Sequence, residues 1–231
     1  MPSSQDTVIW LSAAALAYVV GSIPFAVLLG RAKGIDIRRH GSRNVGATNV
    51  ARVLGRRLGI LCFVLDALKG AVPVFATGAV TGLVNRPVDA IGQVEAWLWL
   101  AVGAAAILGH MYSIFLKFSG GKGVATGFGA MFGMWPLLTV PALGALLVWM
   151  IVAALWRYVS LASMIAAAAL PALTALWLLL LARTSSESAP GAIQQSWPLP
   201  ATTALLALIV IWRHRANIGR LRRGEEPRIG A

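Results

Sequence analysis

The sequence predicts an all-α, polytopic integral membrane protein: a bundle of about seven transmembrane helices, N-terminus external and C-terminus cytoplasmic. Three observations carry this. Of the 231 residues, 58% are hydrophobic and 12% charged, with a mean hydropathy of +0.76, outside the range of a chain with an ordinary water-exposed surface. The apolar residues fall in runs of about 20, the length that crosses a bilayer core as a helix. The basic residues collect in alternate connecting segments, as the positive-inside rule requires.

Each element follows from that frame. Residues 1–7 carry Asp6 and no positive charge, unlike a cleavable signal, so the next run is expected to stay in the bilayer as span 1, residues 8–29. Span 2 starts after Arg57 and runs to about residue 84. Span 3 covers about 96–116, and a polar, glycine-rich stretch follows at 117–123. Residues 124–156 are apolar but contain Trp135-Pro136 and Pro141. They are long enough for two short helices folded back at the prolines, which we prefer, or for one tilted helix with a re-entrant piece. Span 6 is about 161–181, residues 183–200 form a polar loop with Ser and Pro, and a short last span, 201–212, runs into a basic tail. Five spans, with another segment dipping, would keep the same parity. No soluble block long enough to fold alone interrupts the runs, so residues 1–231 are expected to form a single domain.

Charge tests the layout. With the N-terminus outside, cytoplasmic segments hold Arg31, Lys33, Arg38, Arg39, Arg43, Arg52, Arg56 and Arg57, then Lys117 and Lys122, then Arg157, then Arg213, Arg215, Arg220, Arg222, Arg223 and Arg228; external segments hold only Arg86 and Arg183. The net charge of +12 is thereby explained by topology and anionic membrane lipid, and no nucleic-acid partner is expected. Cys62, the single cysteine, offers no disulfide framework and is assigned to packing.

Three polar clusters then fall on the cytoplasmic face. The first is residues 41–49, Gly-Ser-Arg-Asn-Val-Gly-Ala-Thr-Asn. Glycine permits left-handed turns and close approach to an anion, but a polar turn capping a helix has the same composition, and the segment alone does not decide. The second is Ser119-Gly120-Gly121-Lys122-Gly123, where glycine N–H groups and a lysine ammonium suit phosphate and the helix beginning at Val124 adds its N-terminus. It lacks the spacing of a Walker loop, and its alternative is a flexible basic turn. The third is His214-Arg215-Ala216-Asn217, where His214 and Asn217 share a face on a continuing helix, or form part of an interfacial helix on lipid headgroups. Asp66 and Lys69, three apart inside span 2, are assigned a mutual contact and a structural or site-supporting role. His110 is read as a hydrogen-bonded interhelical histidine, and Glu226 as the structural partner of an arginine. No Asp-x-x-Asp cluster, His-x-x-x-x-Asp pair or Gly-x-Ser-x-Gly elbow is present, and no metal site is expected.

At these clusters the chain resembles the bacterial membrane glycerol-3-phosphate acyltransferases that use acyl phosphate as donor, the PlsY type. The matching stretches are Gly21-Ser22-Ile23-Pro24, Gly41 to Asn49 with Arg52, Asp66-Ala67-Leu68-Lys69-Gly70, Gly109-His110 followed by Gly120 to Thr126, and His214 to Asn217 with Gly224 and Glu226-Pro227. The ordered set spans nearly the whole chain. The resemblance implies transfer of an acyl group from acyl phosphate to the sn-1 hydroxyl of glycerol 3-phosphate, giving lysophosphatidic acid and phosphate, without metal or other cofactor. It implies a seven-helix fold in the bacterial cytoplasmic (inner) membrane, an active site on the cytoplasmic side, and functional coupling to an enzyme that forms acyl phosphate. By motif position the catalytic residues would be Ser42, Arg52, Lys122, His214 and Asn217. Substrate phosphate would be bound by Gly41, Asn44, Gly46, Thr48, Asn49, Gly120, Gly121 and Gly123, with Asp66, Lys69 and Glu226 in support. One departure is Arg43, where the family commonly has Gly; it would shift the turn or add a phosphate contact. From the residues alone, two other readings stand beside the enzyme: a transporter or flippase with Asp66 and Lys69 as intramembrane charges, and a basic scaffold for anionic lipid.

Overall fold

The computed structural model describes residues 4–183 and 196–230, and all its regular structure is helical. Most of the polar loop expected at 183–200 lies outside the described residues. Five segments are long and apolar enough to cross a membrane: Asp6–Ala32, Arg56–Val80, Gln93–Leu116, Thr139–Trp156 and Val159–Ala182. Two further apolar helices, Val124–Gly133 and Pro198–Arg213, are shorter. The chain divides into two compact units, one of Met1–Val84 with Leu98–Met134, the other of Asn85–Trp97 with Trp135–Ala231.

The first unit begins with α1 (Ser4–Gly21) and α2 (Phe25–Ala32). Where one continuous run was expected over 8–29, the helix breaks at residues 22–24, because Pro24 has no amide hydrogen to give the preceding turn and instead opens α2. The carbonyls exposed by the break are covered from elsewhere in the unit. Ser113 Oγ donates to Ser22 O at 2.6 Å, and Lys69 Nζ donates to Ile23 O at 2.8 Å. A short 3-10 helix at Ile37–Arg39 leads to α3 (Ala47–Leu54) and then, across Gly55 at φ 93°, to α4 (Arg56–Val80). Ala26, Val27, Ile37, Val50 and Cys62 form a buried cluster that seats α2, the basic loop and α3 on α4.

α5 (Gln93–Met111) supplies its residues from Leu98 onward to this unit, and α6 (Val124–Gly133) closes it. α6 lies along α4 at backbone contact. A Cβ on Gly129 would run into Ala67 O, one on Gly70 into Thr126 O, and one on Gly133 would come within 2.6 Å of Ala71 O. Small residues at this spacing let membrane helices approach closely and gain dispersion contact, since lipid gives no hydrophobic drive for helix association. Residues 124–156 do form two helices, as preferred. The ten residues of α6 span only about 15 Å, half of a bilayer core of about 30 Å.

The second unit pairs α7 (Thr139–Trp156) with α8 (Val159–Ala182), and α8 with α9 (Pro198–Arg213). Val152, Ala153 and Ala162 are buried where α7 turns into α8, and Trp149 Nε1 donates to Ser163 Oγ at 3.2 Å across the pair. Leu143, Leu147, Met150, Ile151 and Leu155 remain exposed along α7, an apolar face suited to acyl chains. The helix expected to continue through the third polar cluster is interrupted: α9 ends at Arg213, His214 is the junction, and α10 (Arg215–Arg222) follows.

Candidate active site

In the first unit the basic loop is built around two side chains. Asp36 accepts from the Arg38 backbone N–H at 3.1 Å and takes the Arg38 guanidinium at 2.9 Å on each oxygen. The Arg38 hydrogen bond holds the Asp36 carboxyl down at about 2. Asn49, in the first turn of α3, reaches back over the loop. Its Oδ1 accepts from Ser42 N–H at 2.8 Å, and its Nδ2 donates to Ile37 O and His40 O, both at 3.1 Å. Both amide hydrogens are thus engaged by backbone carbonyls in a side chain only 1% exposed. Asn49, expected to contact phosphate, here spends both side-chain N–H groups inside the loop and fixes it. Gly41 sits against it at φ 57°, where a Cβ would run into Asn49 Oδ1.

This loop and the second cluster meet at a cavity of about 280 Å³ lined by Arg38, Ser42, Arg43, Asn44, Val45, Leu116, Ser119 and Gly120. Two strands of expectation converge here, since Ser42 and Asn44 come from the first polar cluster and Gly120 from the second. Asn44 lines the cavity, but its Oδ1 is buried away from water and has no hydrogen-bond partner among the described residues. Arg43, the departure from the family pattern, adopts φ 60°, a left-handed conformation that glycine accommodates more readily, and its exposed side chain forms part of the cavity wall. Gly46, Thr48 and Arg52 are outside the cavity wall. Arg52 is exposed in the last turn of α3, and Thr48 is exposed in its first. In the second cluster, Gly121 N–H donates to His110 O at 3.1 Å, Lys122 is half-buried, and Gly123 at φ 82° opens α6.

The supporting pair lies beneath that loop. Lys69 Nζ is 2.8 Å from Asp66 Oδ1, both side chains 3% exposed, which is the contact their spacing predicted. His110 Nδ1 is 3.7 Å from the same oxygen, beyond hydrogen-bond length. His110 is interhelical as expected, packed from α5 against Asp66 of α4, with this contact longer than a hydrogen bond. Its Nδ1 is buried without a hydrogen-bond partner among the described residues, and the residue adjoins the glycine loop.

In the second unit the third cluster is a hydrogen-bonded set. His214, 3% exposed, places Nδ1 at 2.8 Å from Val210 O. A carbonyl only accepts, so Nδ1 carries a hydrogen. Asn217 Nδ2 donates to Glu226 Oε1 at 2.6 Å, Ser160 Oγ donates to the same oxygen at 2.7 Å, and Arg220 Nε meets Oε2 at 2.7 Å. Burial pushes the Glu226 carboxyl up, but the bonds from Ser160, Asn217 and Arg220 outweigh it and hold the group below its ordinary value. Glu226 thus has the arginine partner expected of it. Ser160 was missed, as was the strap that brings Glu226 into place. Ile229 N–H donates to Arg157 O at 2.7 Å, Arg157 Nη2 donates to Ile229 O at 2.7 Å, and Arg228 Nε donates to the Tyr158 hydroxyl at 3.1 Å. The sequence signals for this strap were the recurrence of Arg in the tail and the family stretch of Gly224 with Glu226-Pro227.

Residues 11–224 match the family model described as glycerol-3-phosphate acyltransferase. Among relatives, the glycerol-3-phosphate acyltransferase of Geobacter sulfurreducens is 46% identical over 94% of this chain and 96% of its own. That of Geotalea daltonii is 44% identical over 91% and 92%. Two solved structures of PlsY, an integral membrane glycerol 3-phosphate acyltransferase, are similar throughout. The glycerol 3-phosphate form has a TM-score of 0.76 at 37% identity, covering 96% of both chains. The lysophosphatidic acid form has a TM-score of 0.74 at 36% identity, covering 96% of this chain and 95% of its own.

Proposed function

The chain belongs to the glycerol-3-phosphate acyltransferase family and is of the PlsY type, and on that premise we propose that it transfers an acyl group from acyl phosphate to the sn-1 hydroxyl of glycerol 3-phosphate. The products are lysophosphatidic acid and inorganic phosphate, the first acylation of bacterial phospholipid synthesis. The observation that carries the reading is the cavity in which Ser42 and Asn44 meet Ser119 and Gly120 under the cations Arg38 and Arg43. A donor-rich, basic wall suits a phosphate dianion. Ser42 and Ser119 in the same wall bring hydroxyls that accept as well as donate, which suits a substrate hydroxyl, and glycerol 3-phosphate carries both groups.

Acyl phosphate is a mixed anhydride and needs no further activation, so no cofactor or covalent acyl-enzyme is required. The substrate hydroxyl oxygen bonds to the acyl carbonyl carbon, the carbon–oxygen bond to phosphate breaks, and the hydroxyl proton passes to a phosphate oxygen. The protein's work is to hold two anions, orient the hydroxyl and stabilise the oxyanion. Ser42, Arg52, Lys122 and Asn217 are the candidate donors. Gly41, Gly46, Thr48, Gly120, Gly121 and Gly123 shape the phosphate-binding backbone, and His214 Nε2 is the alternative proton acceptor.

The proposed setting is the bacterial inner membrane, with seven spans, an external N-terminus, a cytoplasmic C-terminus and a cytoplasmic-side site in which the whole chain acts as one catalytic domain. The basic loops on alternate connections support that orientation. An acyl-phosphate-forming enzyme is the expected supplier of donor. Steady-state rates of His214→Ala test the choice of base: a fall approaching the uncatalysed rate, restored by added imidazole, would assign the proton to the histidine instead of substrate phosphate.

A further inference from the structure

His110 has no role in the chemistry proposed above, yet it is 7% exposed, ionisable and placed between two features of the first unit. On one side its Nδ1 faces Asp66 Oδ1 at 3.7 Å. Asp66 in turn is held by Lys69 at 2.8 Å, and Lys69 is anchored on Ile23 O at 2.8 Å. Cys62 Sγ, 3.7 Å from Asp66 Oδ2, completes the surroundings of the carboxylate. On the other side the residue touches the glycine loop at three points. Its carbonyl accepts from Gly121 N–H at 3.1 Å. A Cβ on Gly120 would run into His110 O, and a Cβ on Gly121 would run into His110 Nε2. The imidazole is therefore packed between a buried ion pair and the backbone immediately before Lys122.

We propose that His110 is a positioning residue for the loop carrying Lys122, set by Asp66 and Lys69, and that it tunes how this loop meets a substrate phosphate. The proposal rests on the function assigned above. A buried ion pair costs desolvation and is weak evidence of stability for its own sake, so a role in fixing geometry accounts for its presence at this depth. The imidazole, with one edge toward the carboxylate and the other against Gly121, converts that fixed point into a fixed loop.

The test is a double-mutant cycle in the purified full-length protein, read with glycerol 3-phosphate kinetics and with amide hydrogen exchange of the peptide covering residues 119–126. His110→Ala is expected to raise KM for glycerol 3-phosphate by about tenfold or more, as a misplaced binding loop does, with a smaller effect on kcat. His110→Asn, which keeps a polar group toward Asp66 but loses the ring edge against Gly121, is expected to recover only part of the loss. Gly121→Ala alone should be damaging, and His110→Ala with Gly121→Ala should be less damaging than the product of the two, because removing the ring makes room for the methyl. Exchange of the loop should quicken in His110→Ala with no substrate present. Independent effects of the two substitutions, or parent-like exchange in His110→Ala, would overturn the proposal. Failure of the parent protein to turn over would instead sink the functional reading, leaving the exchange result to judge the positioning role.

Discussion

Ser42 owes its place to Asn49, whose Oδ1 holds the serine N–H while Nδ2 ties down two carbonyls of the preceding turn. Asn49→Ala strands these buried groups and is expected to cost about 1–3 kcal/mol, seen as a lower thermal midpoint together with weaker glycerol 3-phosphate binding. Ser42→Ala and Arg52→Ala are expected to lower kcat by about a hundredfold if each is a transition-state donor, with thermal midpoints near that of the parent protein. Glu226 adds a pH dependence. Its folded-state value lies below the ordinary one, so its contribution is complete above the unfolded glutamate pKa of about 4.3 and is lost as pH falls through the lower folded value. Glu226→Gln should therefore lower the thermal midpoint at neutral pH and reduce its decline on acidification, measured from neutral pH into the acid range. The Asp66–Lys69 contact was legible because i and i+3 meet on any helix. The Asn49 clamp and the Ser160–Glu226 bond were not, since the partners are 12 and 66 residues apart and long-range polar contacts leave no periodic trace.

The helices were legible where composition alone decides them, and less so where packing or a junction does. α4 and α8 follow their apolar runs closely. The break at Pro24, the ten-residue length of α6 and the junction at His214 depend on which backbone groups find partners within the unit. The α4–α6 seam is the most exacting of these arrangements. Gly129→Leu cannot be accommodated without separating the helices, because Ala67 O occupies the space of its Cβ. It is expected to reduce the yield of folded protein in detergent sharply, whereas Leu143→Ala on the exposed face of α7 should leave yield near that of the parent. Because α6 begins two residues after Lys122, a displaced α6 should also weaken glycerol 3-phosphate binding in any Gly129→Leu protein that survives.

At the scale of the molecule, the net charge of +12 and its concentration in alternate connections set the expected topology. A reporter fused after Glu187 should be external, and one at the C-terminus cytoplasmic; a cytoplasmic reporter after Glu187 would break the seven-span arrangement. Membership of the family leaves the transporter and scaffold readings without an observation in their favour. Much of the first cavity could be anticipated because its two clusters are short, glycine-bearing and locally dense in polar groups. The central claim is that this protein joins glycerol 3-phosphate to the acyl group of an acyl phosphate. Purified protein in detergent, given both substrates and followed by phosphate release, should produce one phosphate for each lysophosphatidic acid, with little release when glycerol 3-phosphate is omitted. No glycerol 3-phosphate-dependent release from correctly folded protein, across a series of acyl-chain lengths, would contradict it.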